Sequence, residues 1–145
     1  MRLKLILLSS LFALASTVAV QNVEACYQES PSVRLRARMI TGTITLQGKP
    51  VDGAVLRLHK FIGVYSTAAG HADTHVLAEV IAAKDGSFNF GELAQGKYVL
   101  FVGEPSGATV EIELIRPNNG GSDTLKVDTF GDSCISAASI AHKPN

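Results

Sequence analysis

The chain has 145 residues, the length of one ordinary domain. Its 13 basic and 13 acidic residues cancel, which excludes the electrostatic footprint of a nucleic-acid binder or of a protein held on an anionic membrane surface. With no Trp and 6% aromatics it has no Trp-lined sugar platform, and at 18% charged residues it is too apolar for a disordered, solvating chain.

Residues 1–25 read as a secretory signal peptide. Arg2 and Lys4 form a short basic start, Leu5 to Val20 is apolar apart from Ser9, Ser10, Ser16 and Thr17, and Gln21 to Glu24 is polar. Small residues at alternate positions allow cleavage after Ala19 or after Ala25. The apolar run is shorter than the ~20 residues a spanning helix needs, so no membrane span is expected once the leader is removed. The expected destination is the periplasm or the cell exterior. Cys26 would follow the second cleavage point, where lipid anchoring is the alternative fate of its thiol. The only other cysteine is Cys134, and in an oxidising compartment the pair is expected to form a disulfide.

The remaining body reads as strands. Val33, Leu35, Ala37 and Met39 alternate with Arg34, Arg36 and Arg38; then the phase slips, and Ile40, Ile44 and Leu46 alternate with Thr41, Thr43 and Thr45. A one-residue slip implies a bulge or two separate strands. The arginines form either a solvated face or an anion-binding stripe. Gln47 to Gly53 is turn chemistry, Ala54 to His59 a strand, and Ile62 to Thr74 an irregular loop. Val76 to Ala83 is a strand, Asp85-Gly86 a tight turn, and Ser87 to Phe90 a strand. Gly91 to Gly96 turns the chain into an apolar strand from Tyr98 to Val102. Val110, Ile112 and Leu114 alternate with acidic residues, Arg116 to Asp123 is a polar loop, and Leu125 and Val127 mark a last strand. Residues 135–145 read as a tail with at most one helical turn. Seven short strands without a usable helix predict an all-β fold, a single seven-stranded antiparallel β-sandwich of Ig-like or prealbumin-like type.

Two blocks carry a resemblance. Gly42 to Leu58 contains Gly-Lys-Pro50-Val-Asp-Gly53-Ala-Val, and Lys84 to Leu100 contains Asp85-Gly86-Ser-Phe88, then Leu93, Gly96 and Tyr98. Together they resemble the carboxypeptidase regulatory-like domain, a prealbumin-like sandwich also grouped with carbohydrate-binding-like folds. The resemblance implies a sandwich over residues 40–134, preceded by an N-terminal extension or strand at 26–39. It implies that Gly42, Pro50, Gly53, Asp85, Gly86 and Gly96 serve geometry, that Phe88, Leu93 and Tyr98 fill the core, and that the Tyr98 hydroxyl finds a backbone partner. It supplies no catalytic residue. In the related isopeptide-forming surface modules a catalytic Glu stands where this chain has Val102.

Residues with chemistry are few. His71, Asp73 and His75 share a parity that would bring two imidazoles and a carboxylate to one face of an extended segment, a weak metal candidate. Phe61 and Tyr65 could form a small sugar-contacting platform. No Gly-x-Ser-x-Gly elbow and no phosphate-cradling loop occurs, so neither a catalytic constellation nor a cofactor is expected. The expectation is a secreted, non-catalytic binding or structural module that acts through its loops, with an unknown protein or carbohydrate as its partner. A carbohydrate-binding protein is the first alternative, and a metal-binding or enzymatic protein using the histidine loop is the second.

Overall fold

The structure, a computed structural model, describes residues 30–63, 72–103, 108–117, 121–130 and 134–143. The described residues are strands and their connections: β1 (Ser32–Arg36), β2 (Met39–Leu46), β3 (Lys49–Pro50), β4 (Val55–Phe61) and β5 (Ala72–Ile81). They continue with β6 (Ser87–Glu92), β7 (Gly96–Val102), β8 (Ala108–Ile115), β9 (Ser122–Phe130) and β10 (Cys134–Lys143). One sheet has the order β1-β8-β7-β4-β5. The other has the order β10-β9-β2-β3, with β6 also paired to β2.

The all-β expectation holds, but the seven-stranded antiparallel arrangement does not. The described residues form ten strands in two five-stranded sheets, and both sheets are mixed. β1 runs parallel to β8, and β2 runs parallel to β9. The phase slip after Met39 is the reason. β1 belongs to the first sheet and β2 to the second, so the chain changes sheets at Ala37 and Arg38. Each strand keeps its own alternation, and the slip turns Leu35 and Ile40 into the same core from opposite sides.

That core is the shared inner face of both sheets. Leu35, Ile40, Ile44, Leu56, Leu58, Leu100, Val110, Ile112, Leu114, Leu125 and Val127 are essentially inaccessible to solvent. Each contributes about 1.5–3 kcal/mol by leaving water. Phe88 and Phe90 are buried beside each other with ring centroids 5.9 Å apart, in the edge-on arrangement that aromatic quadrupoles favour. Gly42 makes room for this pair. A Cβ there would come within 2.1 Å of the Leu125 carbonyl oxygen and 2.8 Å of Phe88 Cζ. Gly86 has φ 75°, and a Cβ there would lie 2.3 Å from the Ile44 carbonyl oxygen.

The other motif residues also act through geometry. Asp85 Oδ1 accepts a 3.0 Å bond from the Ser87 N–H, and bonds from Ser87 hold its carboxyl below the usual range. Gly53 N–H donates to Ala82 O, and Pro50 pairs with Thr45 at a sheet edge, where its missing donor costs nothing. The Tyr98 hydroxyl donates to Ala94 O at 2.5 Å, beside the turn that Leu93 fastens by donating its N–H to Arg38 O. Burial pushes the Tyr98 hydroxyl up from its ordinary value.

Three segments depart from the sequence reading. β5 begins at Ala72, so Asp73 and His75 belong to a strand rather than to a loop. Lys49 and Pro50 add a short edge strand inside the expected turn. Residues 134–143 form the ten-residue strand β10 instead of a helical turn or tail. Its Ala and Ser residues give little alternation to read. It is fixed by pairing with β9, with one register irregularity between Ile135 and Ala137, and by burial of Ile135.

Candidate functional site

A cluster of mostly half-buried aromatic and charged side chains gathers on the outer face of the first sheet, where β4 runs between β5 and β7. β4 alternates: Leu56 and Leu58 enter the core, while Arg57, His59 and Phe61 take the outer face. Register then sets their neighbours. Arg57 lies opposite Phe101, and His59 lies opposite Val99. The His59 and Phe101 rings meet edge to face at 4.8 Å, and Lys97 Nζ stands 5.6 Å from the Phe61 ring centre. Val99 is fully buried but is not part of the inter-sheet core; its register partners His59 and Glu111 flank it on the outer face. Arg57 Nε donates to Glu79 Oε2 at 2.6 Å, which joins β4 to β5 on the same face.

Asp73 and His75 start β5 as a local pair. Asp73 Oδ1 accepts bonds from the His75 N–H and from His75 Nδ1–H, both at 3.1 Å. Those bonds hold the Asp73 carboxyl below its ordinary value. His59 Nδ1–H donates to the Asp73 carbonyl oxygen at 2.7 Å, so the segment is tied to β4 through its backbone. His71 and Tyr65 lie outside the described residues, and so do Cys26 and the Cys134 side chain. Among the described residues no three His, Cys, Asp or Glu side chains come together as a metal site. Phe61 is half-buried and packs beside Lys97, lining a depression of about 70 Å³ with Ser32, Glu111 and Glu113.

β5 also ends its sheet. Among the described residues no strand pairs with its far edge, so one row of backbone N–H and C=O groups faces outward. Val76, Leu77 and Ile81 are 48%, 53% and 67% exposed on this strand. Two other edges are guarded. β1 is five residues long and carries Arg34 and Arg36; the β3 and β6 side presents Lys49, Pro50, Asn89 and Glu92. Short, charged or proline-bearing strands discourage strand addition, whereas a long apolar edge invites it. The sequence contains one signal of this. Val76 and Leu77 are adjacent apolar residues that break alternation, and the register to β4 slips at that point.

Two further groupings went unread in the sequence. Asp123, 5% exposed, accepts bonds from Arg36 N–H at 2.8 Å and from His142 Nδ1–H at 2.7 Å. Burial alone would raise its carboxyl, but the bonds from His142 and Arg36 outweigh that and hold it below the ordinary value. A shallow depression of about 730 Å³ lies between β2, β6 and β9 of the second sheet and the end of β5, lined by Thr41, Thr43, Ser87, Asn89, Thr124 and Lys126 together with Val80 and Ile81. Its hydroxyl and amide groups alternate with core residues, so each was visible singly as an outward position but not as a surface.

Comparison of the chain with known protein families, curated proteins and solved structures finds no match.

Proposed function

We propose that this is an exported, non-catalytic β-sandwich module that binds an extended segment of a protein partner along the free edge of β5. The carrying observation is that edge: ten residues long, with Val76, Leu77 and Ile81 exposed and no strand beside it among the described residues. An added strand would satisfy the outward backbone row, and the apolar side chains would give it purchase. The neighbouring rings of His59, Phe61 and Phe101 lie on the outer face of the same sheet and extend the contact surface. The test is to select binders from a library of extended peptides and map them by amide exchange. New protection should fall on β5, and Leu77→Lys should abolish it. Protection confined to the second sheet would overturn the reading.

A carbohydrate ligand is the second reading, favoured by the hydroxyl-lined depression over Thr41, Thr43, Ser87, Asn89 and Thr124. Glycan titration with amide shifts confined to those residues would select it over strand addition. Export rests on the basic and apolar pattern of residues 1–25, and it makes a disulfide between Cys26 and Cys134 part of the proposal. Mass spectrometry without reductant should find the mature chain two hydrogens lighter than its reduced form. Two free thiols in freshly isolated protein would remove the disulfide.

A further inference from the structure

We infer that the cleft at one end of the sandwich, between Arg38 and Arg116, is a binding site for an oxyanionic group, a carboxylate, sulfate or phosphate carried by a small ligand. The cleft measures about 320 Å³ and is lined by Ala37, Arg38, Glu92, Leu93, Ala94, Gln95 and Arg116. It is independent of the β5 edge.

The parallel pairing of β1 and β8 creates it. Ala37 N–H donates to Ile115 O at 3.0 Å just beyond the last register pair, Arg36 with Ile115. Each arginine is the next residue after one end of that bond. Two chains leaving in the same direction therefore bring both arginines to the lining of one cleft. The floor is fixed from the opposite side, where Leu93 N–H donates to Arg38 O and the Tyr98 hydroxyl holds Ala94 O.

The electrostatics set these two arginines apart from the others described. Arg34 is bonded to Glu113 at 2.6 Å, Arg57 is bonded to Glu79 at 2.6 Å, and Arg36 lies beside the buried Asp123 carboxylate. Arg38 and Arg116 have no carboxylate within bonding distance among the described residues, although Glu92 lines the same cleft. Two guanidinium groups present planar forks of donors that match the oxygens of an oxyanion. The Gln95 amide adds a neutral donor beside them.

The test uses the mature full-length protein and inorganic sulfate as the probe, with ionic strength held constant by chloride. Saturable amide shifts should be confined to the Ala37–Arg38, Leu93–Gln95 and Arg116 backbone. Arg38→Ala and Arg116→Ala should each weaken sulfate by about tenfold, the scale of one lost charge-assisted hydrogen bond. Arg38→Lys should recover part of that loss, Glu92→Gln should tighten binding, and Arg34→Ala should leave it unchanged. Unaltered amide spectra away from the cleft will show that each variant remains folded. Acetate and inorganic phosphate, titrated in parallel, rank the three oxyanions. Shifts that chloride reproduces, or that survive in the double arginine variant, would overturn the proposal.

Discussion

Strands β5 and β10 are both ten residues long, and each ends a sheet, yet their surfaces differ. β10 is tied to its neighbour by polar bonds: His142 to Asp123, and Thr124 Oγ1 to the Ala141 carbonyl oxygen. Its exposed positions include Ala137 and Ser139, which offer little apolar area, and Ile140, which is 38% exposed. β5 is tied to β4 by Arg57–Glu79 and His59–Asp73 but leaves large apolar side chains in water. One edge strand leaves a single large apolar side chain part-exposed, and the other leaves three, Val76, Leu77 and Ile81. Two edge strands of equal length thus differ in the apolar area they carry, not in their place in the sheet.

The largest expected effect tests the core that both edges share. Phe88→Ala should destabilise the protein by about 3–5 kcal/mol, read from the urea midpoint. Hydrogen exchange should then rise in β5 and β10 together. A loss confined to one strand would show that the sheets do not unfold as one unit.

A smaller effect should separate the edges. Asp123→Ala removes the acceptor for Arg36 N–H and His142 and should cost about 1–3 kcal/mol. Exchange should accelerate in β10 and β1 and stay unchanged in β5. The same carboxyl sets an acid dependence. Its folded value lies below the ordinary 3.8, so its contribution is complete above that value and disappears as pH falls through the lowered one. Asp123→Asn should flatten the stability decline below about pH 4 compared with the parent protein, read by denaturant midpoints at successive pH values.

The smallest stability change is expected at β5. Leu77→Lys should move the folding free energy by no more than about 0.5 kcal/mol, because the side chain is already in water. Its effect should appear in peptide binding. A variant that unfolds instead would show that Leu77 supports the sandwich.

Much of this contrast could be read from the chain, and some could not. Phe88, Leu93 and Tyr98 were legible through the resemblance of the block from Lys84 to Leu100 to a known sandwich motif. The change of sheet at Ala37 and Arg38 was visible as a phase slip, but alternation does not say which strand lies alongside. Parallel partners are chosen by residues far along the chain, and period-two patterns carry no such information. β10 was illegible because its alanines favour helix and its serines favour turns, and pairing with β9 overrides both. Asp123 and His142 meet only through the β9–β10 register, 19 residues apart in the sequence. Arg116 gained a partner in Arg38 only because β1 and β8 run parallel. β5 was legible as a strand from Val76 onward, and only its first residues, Ala72 to Thr74, lay in a segment that composition marked as loop.

The parallel pairing also orders the assembly of the molecule in time. Arg34 meets Glu113 79 residues later, and Thr45 meets Asp128 83 residues later. On a growing chain, β1 and β2 emerge early and wait for β8 and β9 with their apolar faces uncovered. Such distant closures make folding slow and leave the nascent chain exposed to aggregation. A protein built this way gains from being held open until synthesis is nearly finished, as a chain threaded unfolded across a membrane is.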